Sequence, residues 1–194
     1  MPTPPTFTAY TPLTAAQLNQ AGLWKVIPTS VAGTGVSLSS GQVIFTGSTA
    51  ISINGCFTSD FRRYRVEMNF TNTVGQVLYW RLRAAGTDAT TNNYGYITAY
   101  RSYAAAAQGN FNGNALSTSV IGYGTANNIG HVSFDIDAPQ LAERTTLTGH
   151  CGWQDAAAWV GSQHSLQTAY DGMTFFLASG GTTTGTINIY GYRS

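Results

Sequence analysis

The chain has 194 residues, 43% hydrophobic and only 9% charged, with nine basic residues against eight acidic ones. That length fits one domain with a core of its own. A net charge of +1 withholds the basic surplus that a nucleic-acid binder needs to displace condensed counterions, and no stretch approaches the roughly 18 apolar residues of a membrane span.

Polarity comes from Thr, Ser, Asn, Gln and 22 Gly, beside 11 Tyr, nine Phe and four Trp. Thr, Tyr, Phe and Val favour pleated surfaces, and Gly, Asn and Ser favour turns. This is the composition of an all-β protein. Eight of the nine cations are Arg, and Lys25 is the ninth. Arg suits planar, stacked and bidentate contacts better than Lys does. So few charges also suit a surface that is covered in an assembly. Cys56 and Cys151 are too few for a disulfide framework and read as two buried thiols, although a pair is open. The opening MPTPPTFTAY has neither a basic start nor an apolar run, so synthesis in a cytoplasm without ordinary secretion is expected.

The first 30 residues stand apart. MPTPPTFTAYTP is rich in Pro and Thr and reads as extended. LTAAQLNQAGLW follows, with Thr14 and Gln17 spaced as a capping box, Leu13 and Leu18 as a hydrophobic staple, and Gly22 as a stop. A helix of about two turns does not stand alone in water. It must dock on the domain or on a partner, and both readings are open. Leu13, Leu18 and Trp24 are therefore assembly candidates.

From residue 31 to 194 the pattern is β. GVSLSSGQVIFTG reads as two short strands about Ser39-Ser40-Gly41, and TAISINGCFT follows. In FRRYRVEMNFTN, Tyr64, Val66, Met68 and Phe70 share one face, and Arg63, Arg65, Glu67 and Asn69 the other. In VLYWRLRAAG, Leu78, Trp80 and Leu82 oppose Tyr79, Arg81 and Arg83. NYGYITAYRSY is a further strand, and the Gly and Asn of AAAAQGNFNGN read as a loop. HVSFDIDAP alternates, and RTTLTGHCGWQ, GMTFFLASG and GTINIYGYR complete the set. Strands joined by Gly, Asn and Ser turns predict an all-β sandwich, jelly-roll-like, with a short N-terminal helix.

Little in this pattern is catalytic. Asp135 and Asp137 share a strand face beside a proline, where solvated or turn-forming carboxylates are expected rather than an acid–base pair from two sides of a cleft. His150 and Cys151 are strand neighbours and point to opposite faces. Three scattered His and two distant Cys make no four-ligand zinc set, and no phosphate-cradling glycine motif is present. No cofactor, no metal and no enzyme activity are expected. The aromatics remain. Tyr94, Tyr96, Tyr100 and Tyr103, with Trp153, Asp155 and Trp159, are candidates for gripping sugar rings by stacking plus oriented hydrogen bonds. Core packing is the competing use for any one of them.

Four stretches carry a family resemblance. YTPLTAAQLNQ resembles the segment that opens many tail and fibre proteins of tailed bacteriophages. CFTSDFRRYRVEMNFT resembles a recurring segment of such tail proteins. RLRAAGTDATTNNYGY resembles the paired-arginine strand and Gly-Thr-Asp turn that follow it, and TGTINIYGYRS resembles their usual last strand. The matches fall in order across nearly the whole chain.

The resemblance implies a tail fibre, tail tip or receptor-binding protein of the virion, made in the host cytoplasm. It implies a homotrimer with residues 1–30 toward other tail proteins and the β domain toward a bacterial surface glycan. Residues 104–128 and 149–165 match nothing in the family and are where receptor specificity is expected. Two alternatives stay open: a head decoration or baseplate component, and a glycan-degrading tailspike with a carboxylate cleft. Arg81 and Arg83 are expected on a face near Arg63 and Arg65, held by Glu67, Asp60, Asp88 or a neighbouring subunit, because unpartnered arginines are costly to bury.

Overall fold

The computed structural model describes residues 22–103, 108–154 and 156–192. The expected N-terminal helix, with Leu13 and Leu18, and the candidate Asp155 lie outside the described residues. The described residues form strands joined by turns and loops, with no helix among them.

In chain order the strands are β1 (Leu23–Lys25), β2 (Ser30–Ala32), β3 (Val36–Ser39), β4 (Gln42–Ser48), β5 (Ala50–Asn54), β6 (Arg63–Asn72), β7 (Gln76–Ala84) and β8 (Thr87–Asp88). The second half adds β9 (Tyr94–Ser102), β10 (Gln108–Leu116), β11 (Ser119–Gly124), β12 (Ile129–Asp137), β13 (Thr145–Trp153), β14 (Ala156–His164), β15 (Gly172–Leu177) and β16 (Thr183–Tyr192). Their ladders are antiparallel and form two sheets. The larger runs β10-β9-β14-β13-β12-β6-β16-β4-β3, with β1 beside β16. The smaller runs β11-β7-β15-β5-β2, with β8 beside β7.

Alternation builds the sandwich. Tyr64, Val66, Met68 and Phe70 of β6 are buried, as are Leu78, Trp80 and Leu82 of β7, and they meet in one core between the sheets. Fully burying one such side chain contributes about 1.5–3 kcal/mol, and a sheet with one apolar face has nowhere else to place it. Phe134 of β12 packs edge-on against Phe175 of β15 across the layers. Cys56 and Cys151 are separate buried thiols in this core. Burial pushes both up, Cys151 to about 11. Leu23 pairs with Tyr192, and Val26 is buried.

Turn chemistry sets the register. Ser40 and Gly41 both have positive φ between β3 and β4, the torsions of a two-residue hairpin loop. Ala85 and Gly86 repeat that geometry between β7 and β8. This turn folds Asp88 back opposite Arg83.

Two expectations are corrected. Residues 108–116 are a strand, not a loop. Gly109 and Gly113 are accommodated because Tyr100 and Tyr96 of β9 lie over them, where a Cβ would stand 2.5 Å and 2.7 Å from the rings. Arg81 and Arg83 are not near Arg63 and Arg65. The two pairs stand on the outer faces of different sheets, so the whole sandwich lies between them. The strands β1, β2, β11 and β14 also carry no clear alternation of polar and apolar residues. β14 reads AAAWVGSQH, whose small residues give no signal of period two.

Candidate functional site

The tyrosine candidates divide by strand parity. Tyr94, Tyr96 and Tyr100 face inward on β9. Tyr94 is fully buried. Its hydroxyl accepts from the Leu82 N–H at 2.9 Å and donates to the Ala89 carbonyl at 2.9 Å, and its ring meets Trp80 and His164 edge-on. Burial raises its phenol. It is a core residue and cannot touch a ligand.

Tyr96 and Trp153 line an apolar cleft of about 120 Å³ with Tyr79, Phe111 and Tyr123, between the β9–β10 hairpin and the edge strand β11. Tyr100 stacks on Phe111 with the rings 5.2 Å apart and 11° from parallel. Tyr103 is 71% exposed just past the end of β9. Trp159 is on the opposite face of the larger sheet. The aromatic set is therefore not one cluster.

His164 packs behind this sheet, fully buried, between Tyr94 and Tyr170, with Nδ1 3.3 Å from the Tyr170 hydroxyl. Burial pushes its ring from 6.5 down to about 4. Between these values the unfolded chain takes up a proton that the fold refuses. Stability therefore falls as pH drops from about 6.5 to 4, by on the order of 3 kcal/mol, with no further loss from this group below 4. Urea melts at pH 7 and pH 4.5 are expected to show that loss in the native chain and to lack most of it in His164→Gln.

Trp159 leads to the site with the most developed geometry. The outer face of the larger sheet is laid out in rows by its register. One row runs Arg65, Asp135, Thr148, Gly161, Ile97 and Asn112. The next runs Arg63, Asp137, Thr146, Gln163 and Gly95. A third places His150, Trp159 and Ala99 side by side.

Across these rows lies a groove of about 490 Å³ lined by Thr146, Thr148, Gln163, Asn114, Ile97 and Gly161. A neighbouring hollow of about 320 Å³ shares Thr146 and Thr148 and is bounded by Arg63, Asp135 and Asp137. The two adjoin at Thr146 and Thr148 and together are termed the trough.

Glycine shapes the floor. A Cβ on Gly161 would stand 2.7 Å from the outer edge of the Trp159 indole, so the ring lies against bare backbone beside the trough. Trp159 is 42% exposed. The trough thus offers hydroxyls, side-chain amides, one aliphatic side chain and a flat ring at its border. Gly161→Ala is expected to displace that ring. Binding in the trough should weaken about tenfold in a titration, with little change in melting temperature.

The charged end is a structural clamp. Asp135 accepts from Arg63 at 2.7 Å, from Arg65 Nε at 2.9 Å and from the Tyr192 hydroxyl at 2.8 Å. Its burial alone would push the carboxyl above its usual range. The hydrogen bonds from Arg65 and Tyr192, with the charges of Arg65 and Arg63, outweigh that and hold the carboxyl below its usual range. Asp137 ion-pairs with Arg62 at 3.6 Å. Asp135 is therefore not the solvated carboxylate expected, whereas Asp137 is solvated, with its side chain 43% exposed. An aspartate held ionised by two arginines is a poor general acid.

Arg81 and Arg83 find their partner in Asp88, one of the carboxylates expected for them. Arg83 is buried and uses its whole fork. It donates to Asn54 Oδ1, Ser52 Oγ, Thr174 Oγ1, the Gly86 carbonyl and Asp88. No second subunit is needed to satisfy it. Trp24 sits in β1 opposite Gly191 of β16.

No family model and no curated protein matches the chain. Among solved structures it is similar to the mannose-bound exoplasmic/lumenal domain of VIP36, at 9% identity and a TM-score of 0.32 over 85% of this chain and 83% of that one. A seed lectin of Lotus tetragonolobus matches at 5% identity and a TM-score of 0.32, over 89% and 100%. A family 29 carbohydrate binding module matches at 10% identity and a TM-score of 0.28, over 89% and 78%. Likeness at this level carries neither a shared site nor a shared ligand.

Proposed function

We propose that this chain is a non-catalytic, glycan-binding tail protein of a bacteriophage virion, with the trough on the outer face of the larger sheet as its binding site. One observation carries the glycan part: hydroxyl and amide side chains on β13, β14 and β10 open onto a glycine floor with an exposed indole at its border. Sugars present both hydroxyls and apolar ring faces, and such a surface answers both. The virion part rests on the four ordered stretches that resemble tail proteins. In this reading residues 1–30 attach the protein to other tail proteins, the β domain points at the host, and a homotrimer joins weak sites into strong adhesion through effective concentration.

The test is a panel of purified bacterial surface polysaccharides, with light scattering on a sizing column for the mass. Binding without release of sugar, at three times the chain mass, is the expected result. Release of reducing sugar would turn the reading to a tailspike. A protein that binds no polysaccharide but binds purified tail or head proteins would be a structural virion component instead.

A further inference from the structure

The outer face of the smaller sheet holds a second site, on the far side of the sandwich from the trough. A pocket of about 350 Å³ is lined by Arg81, Asp88, Thr49, Thr174, Phe176 and Gly180, with Leu177 and Gly181 completing its wall. Arg81 is its main feature. Its Nε donates to the Ser117 carbonyl at 3.0 Å, and its guanidinium carbon lies 4.6 Å from the centre of the Phe176 ring. These two contacts fix the group in place. Asp88 Oδ2 is 3.9 Å from Nη1, an ion-pair distance and too long for a hydrogen bond. The Asp88 carboxylate is already bound through Oδ1 by Arg83 and by the Thr174 hydroxyl.

Two guanidiniums therefore share one carboxylate, and one positive charge is left over. All of the fork of Arg83 is consumed inside the chain, whereas the two terminal nitrogens of Arg81 make no hydrogen bond among the described residues. Arg81 is 24% exposed at its side chain. A held guanidinium with both terminal nitrogens open matches a planar acceptor of two hydrogen bonds. The Thr49 hydroxyl and the apolar Ala50, Phe176 and Leu177 around it suit a pyranose ring better than an extended peptide, which would need a sheet edge or a row of side-chain pockets.

We propose that this pocket binds the carboxylate of an acidic sugar residue, such as a uronate, through the two terminal nitrogens of Arg81. The proposal rests on the glycan-binding reading but not on the trough. It makes the preferred receptor an acidic polysaccharide that touches both faces of the domain or bridges neighbouring copies.

The test uses the full chain and three probes in calorimetric titrations: oligogalacturonate, its methyl ester, and polyglutamate of matched charge. Oligogalacturonate is expected to bind, to weaken with salt, and to raise the melting temperature by about 5 °C when present at about one hundred times Kd. The ester and polyglutamate are expected to be at least tenfold weaker. Arg81→Gln is expected to lose binding tenfold or more, measured below its own melting temperature.

Thr49→Tyr fills the pocket while keeping Arg81 and is expected to lose binding as well, which separates occupancy from folding. Equal binding of the ester would remove the carboxylate, and equal binding of polyglutamate would remove the sugar. No binding of oligogalacturonate, or unchanged binding by both variants, would overturn the site. If Trp159→Ala abolishes oligogalacturonate binding while Arg81→Gln does not, the acidic sugar sits in the trough. The pocket proposal then fails and the trough reading stands.

Discussion

Asp88→Ala is expected to lower the melting temperature by about 10 °C. Asp88 is the counter-charge that the turn at Ala85 and Gly86 brings back onto Arg83. Removing it leaves the buried Arg83 guanidinium with neutral acceptors only and takes the ion-pair partner from Arg81. Breaking a buried pair from one side costs about 3–5 kcal/mol, and each kcal/mol moves a domain of this size by about 2–4 °C.

A double variant isolates the cause. Arg83→Met with Asp88→Leu removes both charges together and is expected to recover most of the loss, because the penalty belongs to the stranded charge rather than to the missing bond. Scanning calorimetry on the three proteins decides it. A single variant that melts within 2 °C of the native chain would mean that solvent reaches Arg83 and that the cluster does not hold the turn.

Trp159→Ala is expected to weaken polysaccharide binding at the trough by about thirtyfold, the scale of losing one aromatic that stacks on the ligand. The melting temperature should stay within about 2 °C. The indole is on the outer face, 42% exposed, and its loss opens no cavity between the sheets. This split is what separates a binding residue from a packing one. Trp80, fully buried in the same domain, should show the reverse in Trp80→Ala. An isothermal titration with the polysaccharide chosen from the panel reads the first effect. If Trp159→Ala binds like the native chain, the trough is not the site, whatever the fate of Arg81.

The strands of strongest alternation are legible from their residues alone. In FRRYRVEMNFTN and VLYWRLRAAG, the buried apolar residues of the strands stand two positions apart, and a sheet with one wet face enforces that spacing. The strands β10 and β14 are hidden for a physical reason. QGNFNGNAL and AAAWVGSQH owe their pairing to neighbours: tyrosines over glycines in the first, and flanking strands on both sides in the second. Neither effect leaves a trace in local periodicity.

The site divides in the same way. Trp159 is visible in the sequence as a large ring among small residues. Thr146, Thr148 and Gln163 carry no such signal, because a hydroxyl or amide becomes a site only when neighbouring strands bring it beside others. Tyr94 goes the other way. It shares its stretch with Tyr96 and Tyr100, yet its parity and its position under Trp80 put it in the core.

Composition and the period of two are enough for the all-β class, for the two apolar faces that must meet, and for the need of Arg81 and Arg83 for an acid. Both kinds of information are local, so the chain carries them residue by residue. The packed sandwich adds what no local pattern holds. It sets Arg81 and Arg83 on the opposite side of the domain from Arg63 and Arg65. It gives Asp135 to an arginine clamp, and it spends the fork of Arg83 inside the chain while leaving the terminal nitrogens of Arg81 open. Those outcomes depend on which strands become neighbours, and strand order is set by contacts between residues far apart in the chain.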